Sequence, residues 1–201
     1  MFIELHLIQN FVPANLNRDD TNNPKDCEFG GVRRARISSQ CLKRAIRQAP
    51  VFEQTTAMAS GLRTKRMVQR LQDALTAAGK EAAEAQEALQ EFVPKFASKL
   101  DKKEAEKTAV LLYFSPAELA DIATALLAKW GDLSEKSKRA TAAESIAKEL
   151  VKQFKDRTSA PDIALFGRML AEKPELNLDA ACQVAHALST HRVTMEMDFY
   201  T

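Results

Sequence analysis

From about residue 57 to residue 190 the apolar residues fall at helical spacing, whereas the segments on either side alternate with a period of two. A chain ordered this way has to set a helical block inside β structure. Leu62, Met67, Leu71 and Leu75 mark a helix in GLRTKRMVQRLQDALTAA, and Gly79 separates it from KEAAEAQEALQEFVPKFASKL, which Pro94 is expected to interrupt. SPAELADIATALLAKWG is the best-punctuated helix. It has Ser115 as N-cap, Pro116 in the first turn, Glu118 three residues after the cap and Gly131 past the end. Further helices are expected over 140–154, 161–171 and 178–189.

Before the block, Phe2, Glu4, His6 and Ile8 alternate with Ile3, Leu5 and Leu7, so residues 2–11 read as a strand. The Asn, Asp and Pro residues between 13 and 24 can only form a loop, and loops of that length are often functional. RVTMEMDFY, after Thr190, returns to period two. The order strand, loop, helix, helical block, strand gives an α+β fold with a helical insertion. Two or three strands make a thin sheet, so the chain is expected to be the first part of a longer protein.

With 201 residues and 45% hydrophobic content, a sizeable core is available. A formal charge of +2 excludes a general polycation, so any polyanion site must come from local clustering. Cys27, Cys41 and Cys182 form no close-spaced pair, which fits a reducing compartment and excludes a zinc motif. No run approaches the roughly 18 apolar residues needed to cross a bilayer. A cytoplasmic protein without membrane partner, metal or cofactor is the expectation.

The charge cluster lies in FGGVRRARISSQCLKRAIRQ, residues 29–48, which holds six arginines and lysines and no acidic residue. A turn at Gly30 and Gly31 precedes an extended run with Arg33, Arg34 and Arg36, and Ser38 and Ser39 lead into a helix. Arginine forks, serine hydroxyls and helix N-terminal amides are the parts of a phosphate cradle. Lys43 and Arg47, four apart, share a helix face. A solvated amphipathic helix is the alternative reading of the same residues.

LNRDDTNNPKDCEFGGVRRARISSQCLKRAIR, residues 16–47, resembles the signature region of the CasC, or Cas-seven, family, the repeating backbone subunits of the type I-E CRISPR Cascade surveillance complex. DIALFGRML at 162–170 and VAHALSTHRVTMEMDFYT at 184–201 resemble two further family blocks in the same order. The resemblance implies a partial RNA-recognition-motif-like (ferredoxin-like) palm carrying a large helical finger insertion. Residues 1–56 would begin the palm, 57–158 form the fingers, and 159–201 return to the palm and start a thumb. It implies a non-catalytic scaffold that polymerises head to tail along a CRISPR RNA, joins other Cascade subunits and presents the guide to target DNA. By the same resemblance, Lys25, Ser38, Gln40, Lys43 and Arg47 contact guide phosphates, with Arg18 and Arg34 behind them, and Met169, Tyr200 and Thr201 lie near a displaced base.

Other residues have competing readings. Asp19, Asp20 and Asp26 would serve a metal-dependent ribonuclease, or cap the loop through Asx turns as their asparagine neighbours suggest. His6, His186 and His191 read as structural, and Trp130 as core. A helical interaction module without a nucleic-acid role is the third alternative.

Overall fold

The computed structural model describes residues 1–12 and 14–194, which form an α+β fold in two compact units, 1–46 with 184–194 and 47–183. In the first unit β1 (Asp26–Phe29) and β2 (Val32–Ile37) form a hairpin whose register runs from Asp26 opposite Ala35 to Phe29 opposite Val32. The two-residue connection is Gly30 and Gly31, at φ of 65° and 74°. Positive φ at both positions matches the twist of the strands, and only glycine adopts it without steric cost. β2 takes a second antiparallel neighbour, β5 (Ala187–Leu188). Helix α1 (Ser39–Gln48) follows β2 directly.

The second unit begins with α2 (Pro50–Thr56) and pairs β3 (Leu62–Thr64) with β4 (Leu112–Phe114). Its core lies among α3 (Met67–Ala77), α4 (Ala82–Phe96), α5 (Pro116–Ala128), α6 (Trp130–Ser134) and α7 (Lys136–Phe154). α4 packs against both α3 and α7 through a stripe of Ala85, Ala88, Leu89, Phe92, Val93 and Phe96. Alanines on α4 and α7 let the helix axes approach, and Phe92, Phe114 and Phe154 surround Phe96 at ring separations of 5.3, 5.7 and 6.3 Å. Trp130 packs half-buried against this core. The helical block therefore holds most of the buried apolar surface among the described residues.

Several sequence expectations change. Residues 2–11 are exposed and form no ladder among the described residues. Period-two patterning specifies a pleated surface, which needs a pairing neighbour to become a strand. α4 runs through Pro94 to Phe96, since Val93 and Phe96 are both buried and the Ala97 N–H still closes onto Val93 O. α5 stops at Ala128, and Gly131 belongs to α6 instead of closing α5. α8 (Pro161–Phe166) ends at Gly167 because Arg168 exchanges both main-chain bonds with Leu178, each 2.9 Å. No helix forms over 178–189. Ala181 and Cys182 donate to carbonyls of Ala164 and Leu165, and 187–188 pair with β2, so tertiary pairing overrides the local helix propensity of the alanines. The strand expected over 192–200 lies largely outside the described residues. Within them, Val193 donates to Arg33 O at 2.9 Å.

The second unit is fastened by a buried ion pair. Arg168 and Glu118 are each 3% exposed. The Arg168 Nη1 lies 3.1 and 3.2 Å from the two Glu118 oxygens and its Nε donates to Leu176 O, while the guanidinium sits 5.0 Å from the centre of Phe114. Glu118 completes the capping box of α5: its Oε2 accepts from Ser115 N and its own N–H donates to Ser115 Oγ. Removing one partner leaves the other charged, buried and unpaired. Arg168→Met is accordingly expected to lower unfolding free energy by about 3–5 kcal/mol, measured by urea denaturation.

Candidate nucleic-acid interface

The arginines of β2 are divided by the strand's alternation, and each meets a different environment. Arg34 donates through Nε to Phe29 O at 3.0 Å and through Nη1 to Ser189 O and Thr190 O at 2.8 and 2.7 Å. It clamps the hairpin to the chain beyond β5. Arg33 pairs with Asp26 at 3.4 Å. Arg36 lines an open cleft with Asp19, Asn23, Pro24, Lys25, Asp26 and Arg33, and its Nε is shielded from solvent without a hydrogen-bond partner among the described residues. Lys25 is half-buried in the same cleft, and its main chain is fixed by bonds to Asn17 and Arg36.

The loop wall of that cleft is organised by Asp19. Its Oδ1 accepts from Thr21 N, Thr21 Oγ1 and Asn23 N at 2.8 to 2.9 Å. These bonds, led by the one from the Asn23 amide, hold the carboxyl below its ordinary range. Arg18 donates to Asn22 O at 2.7 Å and so braces the same turn. The Asx-turn reading of Asp19 is what the geometry displays, whereas Asp26 is spent on Arg33.

α1 is capped as the serines suggested, with Ser38 Oγ accepting from Cys41 N at 3.3 Å. The cap is 5% exposed. Asn17 Oδ1 accepts from Ser38 N, and His186 Nδ1 accepts from Ser39 N at 2.8 Å. The Ser38, Ser39 and Cys41 amides at the start of α1 are therefore already occupied within the fold. What the helix offers is its side: Gln40 and Arg44 exposed, Lys43 and Arg47 half-buried. β2 and α1 have no acidic residue to cancel these charges.

Met169, in the other unit, is 82% exposed although Arg168 and Leu170 beside it are buried. Tyr200 and Thr201 lie outside the described residues. That unit also contains a basic residue that sequence reasoning passed over, Arg63, which meets the expected Arg47. Arg63 on β3 and Arg47 at the end of α1 each place a guanidinium 5.7 Å from the centre of the Tyr113 ring. The Tyr113 hydroxyl donates to Asp162 Oδ2, and Asp162 Oδ1 accepts from Gly61 N at 2.8 Å. Burial, reinforced by Asp162, pushes the phenol far above its ordinary range despite the opposing pull of Arg47, so it stays a donor. A Cβ on Gly61 would lie 2.6 Å from Tyr113 Cε2, so only glycine fits there. The run RTKR at 63–66 was the available signal for Arg63. Among the described residues no group of three or more His, Cys, Asp and Glu side chains is arranged to hold a metal.

The family described as CT1975-like protein matches residues 3–201. The chain belongs to the CT1975-like family. Among solved structures, this CT1975-like chain is similar to one from a "CRISPR RNA-guided surveillance complex", at 30% identity over 90% of its length with a TM-score of 0.67. A second, from a "CRISPR RNA-guided surveillance complex, pre-nicking", gives 30% identity over 90% with a TM-score of 0.68. The chain spans 56% and 50% of those two chains, about half their length. No curated protein matches the sequence. Family membership bears out the recognition carried by residues 16–47.

The depressed Asp19 carboxyl fixes the sign of a pH effect. A lowered folded-state pKa means that the loop bonds contribute fully above the ordinary value of 3.8 and are lost as pH falls through the lower folded value. In an NMR titration the Thr21 and Asn23 amide protons should shift with a midpoint below 3.8, and Asp19→Asn should abolish that transition.

Proposed function

We propose that this CT1975-like chain is a non-catalytic CRISPR RNA-binding scaffold of a type I-E Cascade complex. The observation that carries the reading is the acid-free β2–α1 element, which gathers Arg33, Arg34, Arg36, Lys43, Arg44 and Arg47 on one short stretch of chain. The 30% identity to chains of RNA-guided surveillance complexes supports it. In this reading the hairpin unit is part of an RNA-recognition-motif-like palm and the helices within 57–158 are the fingers. Copies assemble head to tail along the guide in the cytoplasm, together with other Cascade subunits, and leave the bases to pair with target DNA.

Lys25, Gln40, Lys43 and Arg47 hold the guide backbone, with Met169 beside a displaced base. Arg18, Arg34 and Ser38 act behind them, since their polar groups already brace the turn, the hairpin and the helix cap. Binding of this kind is indifferent to base identity, because phosphates fix position while pairing reads sequence.

Lys25→Ala combined with Lys43→Ala should weaken binding to single-stranded RNAs of unrelated sequence alike. The slope of log K against log salt should fall by about 0.7 for each phosphate left unneutralised, as read by fluorescence anisotropy across a salt series. The wild-type chain with magnesium should leave the RNA intact. An unchanged slope would remove the proposal, and magnesium-dependent cleavage that disappears in Asp19→Ala would replace it with the nuclease reading.

A further inference from the structure

Arg47 and Arg63 come from different elements, yet both guanidiniums stand 5.7 Å from the centre of one ring, that of Tyr113. Sharing that centre, they are separated by at most twice this distance. Each cation is drawn to the ring face, but two like charges gathered there repel one another. Neither has a carboxylate ion pair among the described residues. Asp162, which bonds the Tyr113 hydroxyl, also accepts from the Gly61 amide and is 1% exposed. A counter-charge supplied from outside would relieve the repulsion.

The support beneath the cations is rigid. Tyr113 is 8% exposed within the β3–β4 pair and is tethered at its hydroxyl, and Gly61 leaves no space between ring and backbone. With so little of the ring exposed, it serves as a platform for the arginines and offers no face for stacking a base. Two guanidinium forks on a fixed platform suit the planar, multidentate recognition of phosphate oxygens.

We infer that Arg47 and Arg63 together form a phosphodiester-binding point for the RNA backbone, distinct from the cleft at Lys25 and Arg36. The inference rests on the proposed RNA-binding function and adds Arg63 to the residues that carry it. Recognition of phosphate alone makes the effect independent of base sequence.

The full-length chain is titrated with a labelled single-stranded RNA across a salt series, with Lys43→Ala as a parallel reference. Arg63→Gln should weaken binding about tenfold, as expected for one charge-assisted hydrogen bond, and lower the salt slope by about 0.7. Arg63→Lys should retain the slope but bind severalfold more weakly, because the charge remains and the fork is gone. If Lys43→Ala weakens binding while Arg63→Gln matches wild type in affinity and slope, this inference is overturned and the proposed function stands. If neither variant differs from wild type, both fall. Should Arg63→Gln melt early, Arg63→Lys carries the test, and wild-type affinity in that variant overturns the inference. A loss confined to single-stranded DNA of the same sequence, with RNA binding intact, also overturns the assignment to RNA.

Discussion

The buried contact between Arg168 and Glu118 organises more of the second unit than any other polar interaction described. Glu118 starts α5, Arg168 lies between α8 and the return of the chain at Leu176 and Leu178, and Phe114 of β4 stacks beneath the guanidinium. Desolvating two charges is costly, and the offset here comes from the number of partners each charge finds. The carboxylate closes a capping box at the same time as it meets the guanidinium. A hydrophobic pair could fill the same volume, but it could not also satisfy Ser115 N and Leu176 O. Exposed Met169 is placed by the same contact, since its neighbours Arg168 and Leu170 are both held in the interior.

In the first unit the constraint is hydrogen-bond satisfaction near the surface. Arg34, Asn17, Ser38 and His186 each accept or donate where a main-chain group would otherwise be unpaired. This divides the basic stretch into two roles that composition alone does not distinguish. Arg34 is invested in the fold, whereas Arg36 lines the cleft with an Nε that has no partner among the described residues. His186 reaches the start of α1 from 147 positions away, its Nδ1 accepting from the Ser39 amide.

Elements specified by local chemistry were legible in the sequence. The Gly30–Gly31 turn, the serine cap of α1, the capping box of α5 and the α3–α4 break at Gly79 all rest on residues within a few positions of one another. What escaped depends on distant partners. β3 and β4 are three residues each, too short to show a period, and they exist because they pair across about fifty residues of intervening chain. The alanines after Leu178 favour a helix locally and lose it to β2 and to the α8 carbonyls. The basic patch was visible as a charge run, but the occupation of the Ser38 and Ser39 amides was not, because Asn17 and His186 approach them from opposite ends of the sequence. Arg63 stood in a short basic run, while its meeting with Arg47 over Tyr113 depends on tertiary packing.

The bond from Arg34 to Ser189 joins residues 155 positions apart, while the helical unit 47–183 is one uninterrupted segment. On the ribosome these two facts impose an order of events. Once residue 183 has emerged, the helical unit has all of its own chain and can collapse, whereas the basic hairpin still lacks β5 and the carbonyls that hold Arg34. Long-range closures of this kind are slow because chain entropy is spent before the native interactions form. The cationic surface is thus completed only after residues 189 and 190 have emerged, later than the helical unit that buries its own apolar residues. A nascent chain would carry the hairpin unclamped, with its arginines not yet divided between scaffold and surface.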